Sequence, residues 1–262
     1  MKNYKSDIFG SLMMPESIEE LLKLINQELT DRGRVRMWRG QANINWPIHS
    51  TAYRRLFRSG REPTENNIKH YESNLLKQAT HRGYRYMNGR ELSDMELLAR
   101  LQHHGAATRL VDATRNSFVA LWFVVSSHFD YVGALIGIHT HFIGGYESLP
   151  DSRKYSEILK TLADRKVPFT WEPTMVSNRI SAQRSQFIYS AVSDKNSGSL
   201  ILPEKEGINT TMIIAINSEL KHEIRKILIE SFDIRLITLF PDLDGFCEAN
   251  SVQRDVREMF RW

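Results

Sequence analysis

The chain has 262 residues, 41% of them hydrophobic and 25% charged, a balance that builds a globular core and excludes a disordered or low-complexity chain. The formal net charge of +4 permits a nucleic acid or another phosphate-bearing partner without demanding one. The one cysteine, Cys247, excludes an intrachain disulfide and a Cys-based zinc site. The longest apolar run, Phe118 to Val125, has eight residues, whereas a membrane span needs about 20. With no apolar signal-peptide core in Met1 to Asp7, the expectation is a cytoplasmic protein with no membrane association.

No repeat, low-complexity tract or Pro/Gly/Ser linker divides the chain. One domain over residues 1–262 is expected, with its motif-bearing part at 34–190 and a helical part at 217–262. Ser17-Ile18-Glu19-Glu20 reads as a capping box opening an amphipathic helix that stops near Gly33. Val35 to Arg39 alternates as a strand does, and residues 43–60 read as irregular.

Thr64 caps a helix over 64–82, and Ser93-Asp94-Met95-Glu96 is a second capping box whose helix runs to His104 and ends on Gly105. Asn116 to Phe129, apolar nearly all round, predicts a buried helix. Gly133–Thr140, Phe187–Ser190 and Thr211–Ile216 predict strands; Tyr155–Ala163, Ser218–Ile229 and Leu243–Phe260 predict helices. Strands scattered between helices specify an α+β fold, with a mixed or mainly antiparallel sheet flanked by helices. No Gly-x-Gly-x-x-Gly or Walker-type loop occurs, which argues against a Rossmann or P-loop protein.

Three clusters carry candidate chemistry. Arg39 ends the early strand, and its planar fork suits a phosphate or carboxylate. The alternative is an internal pair with an acid such as Asp112 or Glu72. Gly40 permits close approach of a ligand or of another backbone. The run from Gln102 to Thr114 holds His103, His104, Thr108, Arg109 and Asp112. Helical periodicity puts His104 on the buried stripe, seven residues after Leu97, and His103 on its flank. Asp112 or Thr114 can instead cap the helix that follows. The third cluster, Asn178 to Phe187, carries Asn178, Arg179 and Gln183; a solvated loop is the plainer explanation of its composition. No metal site is expected, since adjacent helical histidines diverge by about 100°.

Trp38-Arg39-Gly40-Gln41, then Gln102-His103, Gly105, Thr108-Arg109-Leu110, Asp112 and Thr114, then Arg179-Ile180, Gln183 and Phe187, resemble in order the motifs of the FRG domain family. That family is named for its aromatic-Arg-Gly motif. Leu239 to Gly245 is similar to its C-terminal motif. By position, the resemblance picks out Arg39, Gly40, His103, Gly105, Thr108, Arg109, Asp112 and Gln183, and prefers His103 to His104. Ser185-Gln186 departs from it, since the family often has a glycine before the phenylalanine.

The aromatic-Arg-Gly at a strand end also resembles the first motif of Arg-Ser-Glu-type ADP-ribosyltransferases, in which the arginine holds the dinucleotide. This implies an ADP-ribosyltransferase-like fold with NAD as substrate. The catalytic residues are then Arg39, His103, Thr108, Arg109, Asp112 and Gln183. Nucleotide binding falls to Arg39, Gly40, Gln41, Asn178 and Arg179. The FRG resemblance further implies a bacterial toxin or phage-defence role. No Glu-x-Glu follows on a late strand, so a non-catalytic module binding a nucleotide, nucleic acid or phosphorylated partner stays open beside it.

Overall fold

The computed structural model describes residues 1–31, 33–146, 152–173, 177–254 and 256–258. Strands β1 (Lys2–Ser6) and β2 (Gly10–Met14) form an N-terminal hairpin that precedes α1 (Ile18–Ile25). A small hairpin, β3 (Glu28–Thr30) and β4 (Gly33–Arg34), leads into β5 (Met37–Gln41). Helices α2 (Thr51–Arg58) and α3 (Glu65–His81) follow, then the short pair β6 (Tyr86–Met87) and β7 (Arg90–Glu91), then α4 (Asp94–His103). Strand β8 (Val111–Thr114) runs directly into α5 (Ser117–Val125), followed by β9 (Gly133–Ile138) and β10 (Gly144–Tyr146). Beyond these lie α6 (Tyr155–Asp164), β11 (Phe169–Trp171), α7 (Asn178–Ala182), β12 (Ser185–Tyr189), β13 (Thr211–Ile216), α8 (Ser218–Glu230), α9 (Leu236–Leu239) and α10 (Leu243–Ala249).

Nine of these strands make one sheet in the order β1-β2-β13-β9-β5-β8-β12-β11-β10. Neighbours are antiparallel except at β2–β13 and β10–β11. The fold is therefore α+β with a mixed, mainly antiparallel sheet, as the element order specified. Side-chain alternation sorts the central strands between two cores. Trp38, Leu135, Ile214 and Ile216 face a cluster with α1, α5, α8 and α9. Met37, Ala134, Ile136, Ile138 and Ala215 face the opposite cluster. Helices α3, α4 and α6 cover the far end of the sheet, packing on Phe169, Trp171, Phe187 and Tyr189.

The caps read from sequence are present, and the reciprocal capping box forms at Ser93–Glu96 but not at Ser17, where the Glu20 side chain accepts instead from the Glu16 amide. Ser17 accepts from the Glu20 amide and Thr64 from the Asn67 amide, while Ser93 and Glu96 satisfy each other's backbone donors. Four other expectations need correction. The first helix stops at Ile25 on the Asn26 cap, and Leu29 belongs to the β3–β4 hairpin. The early strand lies at 37–41, not 35–39. Residues 43–60 hold α2, capped by Ser50, which accepts from the Tyr53 amide. The last long helix breaks at Asn250 after only Leu243–Ala249, and Phe260 lies outside the described residues.

Helix α5 is buried on nearly every side and lies flat on β5. Gly40 makes that approach feasible: a Cβ there would stand 1.9 Å from the Ala120 carbonyl oxygen and 3.0 Å from the Val124 amide nitrogen. The glycine thus serves a helix backbone. Gly40→Ala must push the helix off the sheet, and we expect a loss of about 3 kcal/mol or more in urea unfolding. Wild-type stability in that variant would show that the strand and helix are not in contact.

Candidate functional site

Strands β5 and β8 pair at one position only, Trp38 with Thr114. Beyond it the two chains separate, and a cleft of about 270 Å³ opens between Arg39-Gly40 and Asp112-Ala113. Its walls also carry Gln102 and His103 from the end of α4, Phe123 from α5, and Arg179 and Gln183 from the α7 region. Motif segments far apart in the chain meet here.

Arg39 bridges the parting. Its Nη1 donates to the Asp112 backbone carbonyl at 2.7 Å, and its Nε donates to Gln41 Oε1 at 3.3 Å. No carboxylate lies in ion-pair range of it among the described residues, so the internal pair with Asp112 or Glu72 does not form. Burial lowers its pKa, and the charge of Arg54 adds to this against the pull of Asp112. Gln41 is buried beneath, its amide donating to the Trp46 carbonyl at 2.7 Å, and does not face the cleft.

Asp112 is exposed at the cleft wall. Gln102 Nε2 donates to its Oδ1 at 2.9 Å, and Gln102 Oε1 in turn accepts from the Thr108 hydroxyl. Thr108 lies outside the cleft and is fully buried. Its carbonyl accepts from the Ala52 amide at 2.9 Å and from the Thr51 hydroxyl at 3.0 Å, which ties the start of α2 to this chain. Thr108 positions Gln102, and Gln102 positions the carboxylate.

His103 lines the cleft and is half-buried, whereas His104 is exposed. His104 is the cap residue, already off the helical path and so off the buried stripe that the period predicts for it, while His103 continues the face of Ala99 and Glu96. Burial lowers the His103 pKa below the ordinary 6.5; Arg179 and His104 reinforce this, and Asp242 and Asp244 oppose it. At pH 7 the imidazole is neutral and able to accept a proton. Asp242 Oδ2 sits 3.9 Å from His103 Nε2 and has no hydrogen-bond partner.

Arg179 faces the cleft with its guanidinium 4.0 Å from the centre of the Phe240 ring. Burial lowers its pKa against the charges of Asp242 and Asp112. Gln183 is anchored twice: its carbonyl accepts from the Thr114 hydroxyl at 2.7 Å, and its amide donates to the Leu239 carbonyl at 3.1 Å. The loop expected at this cluster is α7, with Asn178 exposed at its start and away from the cleft. At the departure before Phe187, Arg184 takes the left-handed conformation, with φ 48°.

Arg109 stands elsewhere. Its Nε donates to Glu72 Oε2 at 2.7 Å, its amide to Glu72 Oε1 at 2.6 Å, and its Nη1 to Glu65 Oε1 at 2.9 Å. The Tyr155 hydroxyl donates to the same Glu72 carboxylate. Burial alone would lower the Arg109 pKa; Glu72, Tyr155 and Glu65 outweigh it and raise it. This is a buried network between α3, α6 and the strand before β8, away from the cleft, and Arg109 Nη2 is left without a hydrogen-bond partner in it.

Sequence reasoning missed Asp242 and Phe240 as parts of the site, although the Leu239–Gly245 motif contains both. Thr114, a motif residue that the sequence also allows to cap α5, does not cap it. Asn116 caps it, accepting from the Phe118 amide at 2.9 Å, while the Thr114 hydroxyl accepts from the Asn116 amide and donates to Gln183. Among the described residues no group of His, Cys, Asp and Glu has the makings of a metal site, and no helix is long and apolar enough to cross a membrane.

Residues 34–131 match the FRG domain model, and the chain carries an FRG domain over that span. The match includes Arg39, Gln102, His103 and Asp112 and stops short of Arg179, Gln183 and Asp242. No curated protein and no solved structure matches the chain.

The two arginines are expected to behave oppositely. Arg109→Met strands Glu72 in the core and should cost about 3–5 kcal/mol; Arg39→Ala should cost no more than about 2 kcal/mol. Thermal and urea unfolding of both variants checks this, and equal losses would make Arg39 a structural residue. In an NMR titration the His103 resonances should move at a pH below 6.5, and Arg179→Ala should shift that midpoint upward.

Proposed function

We propose that the cleft of this FRG domain protein binds the phosphate-bearing part of a nucleotide and cleaves a glycosidic bond, with NAD⁺ as the candidate substrate. The observation that carries this reading is the shared geometry of two arginines, one carboxylate and one neutral imidazole around a single cleft. Arg39 keeps terminal donor capacity after its bonds to Gln41 and Asp112, and a second cation, Arg179, faces the same volume. Paired guanidiniums suit a pyrophosphate. Phe123 and Phe187 supply apolar wall for a base or nicotinamide ring.

In such a reaction the bond from ribose C1′ to the nicotinamide nitrogen breaks, and its electron pair leaves with nicotinamide. The positive charge left on the ribose needs a fixed anion, and Asp112, held by Gln102, supplies it. Water or a target hydroxyl then bonds to C1′ and gives its proton to neutral His103, with Asp242 close enough to stabilise the imidazolium. Depletion of NAD⁺, or ADP-ribosylation of a target, is the chemistry by which such a protein would act as a toxin or a phage-defence effector.

A second reading is a module that binds a nucleotide without turning it over. It is favoured by the scarcity of carboxylates: of the described residues lining the cleft, Asp112 alone is acidic, and one of its oxygens is already engaged by Gln102.

Nicotinamide release from NAD⁺ should be lost in Arg39→Ala and fall by about 100-fold or more in Asp112→Asn and in His103→Ala, with each variant folded. Activity should rise with pH through the His103 pKa, below 6.5, and be flat above pH 7. Nucleotide binding by calorimetry with no nicotinamide released would establish the binding module. Neither binding nor release would remove both readings.

A further inference from the structure

Helix α2 carries a feature that the cleft does not use. Arg54, Phe57 and Arg58 stand at i, i+3 and i+4 and share one face. All three are exposed, and Phe57 shows 69% of its surface to solvent. The opposite face does the packing, through Ala52 and Leu56 against Ile68. Gly60, with φ +71°, ends the helix in a Schellman turn: the Gly60 amide donates to the Phe57 carbonyl and the Arg61 amide to the Leu56 carbonyl. The turn brings exposed Arg61 directly after the row.

These cations are unspent. Among the described residues Arg54, Arg58 and Arg61 make no ion pair and no side-chain hydrogen bond, and the neighbouring Glu62 pairs with none of them. Arg55, by contrast, lies over the Tyr71 ring at 5.5 Å. The row also begins beside the cleft, because the Arg54 charge bears on both Arg39 and His49. Three open guanidiniums call for a polyanion. A lone phenylalanine among them is too little apolar surface for a helix that lies in a membrane, while it suits stacking on an unpaired base.

We propose that this face of α2 binds single-stranded nucleic acid, with Arg54, Arg58 and Arg61 following the phosphates and Phe57 stacking on a base. The inference does not rest on the chemistry assigned to the cleft.

Fluorescence anisotropy of the full chain with labelled single strands of about 12 nucleotides, between about 50 and 200 mM salt, tests it. The plot of log affinity against log salt should have a slope of about −2, from about 0.7 for each of three phosphate contacts. Arg58→Ala should reduce that slope by about 0.7. Phe57→Ala should weaken binding by roughly 5- to 100-fold with the slope unchanged. Arg39→Ala should keep full oligonucleotide affinity, which separates this surface from the cleft. The proposal is overturned by an absence of binding at low salt or by duplex binding as tight as single-strand binding with Phe57→Ala silent. It is also overturned by preference for anionic vesicles over oligonucleotides, or by loss of oligonucleotide binding in Arg39→Ala.

Discussion

The site depends on a sheet that fails to close. After the single pairing of Trp38 with Thr114, β5 and β8 diverge in the middle of the nine-stranded sheet. Two central strands that part leave polar backbone facing a gap, which is costly unless something else satisfies it. Here the Arg39 side chain does so by donating to the Asp112 carbonyl. The gap is held open from one side by α5, seated on Gly40, and from the other by the Thr108–Gln102–Asp112 chain. Cavity, cation and carboxylate therefore follow from one departure from regular pairing.

Two arginines in extended segments received opposite fates. Both precede or follow apolar residues, and nothing local distinguishes them. Arg109 meets Glu72 and Glu65 because α3 packs across the strand before β8, a contact spanning some forty residues of chain, 37 in the case of Glu72. Arg39 instead reaches the Asp112 backbone carbonyl and the Gln41 side chain. Partner identity is set by long-range packing, which is why an internal pair for Arg39 and a ligand role for Arg109 were both tenable from the sequence.

Local signals were legible where a cap and an apolar period coincided: Thr64 before α3, the Ser93 box before α4, and the all-apolar α5. Helix α2 was hidden because it is only eight residues long and buries only Ala52 and Leu56, with Arg54, Arg55 and Arg58 among the rest. The N-terminal hairpin was hidden for a related reason, since most of its side chains are exposed at a sheet edge. His103 was found by motif and missed by period, because the period runs one residue past the point where the helix ends. The Asp242 contact was out of reach of both, as it joins segments more than a hundred residues apart.

The Gln183 amide is tied to Leu239, Arg179 lies over Phe240, and Asp242 stands beside His103. The strands and helices that carry Arg39, His103 and Asp112 are thus made early during synthesis, while the segment that braces them arrives more than a hundred residues later. A ribosome-bound chain that has exposed everything up to β12 holds the charges of the site without their final arrangement. The arrangement of the cleft therefore depends on residues 239–245, which hold Gln183, Arg179 and His103 in place.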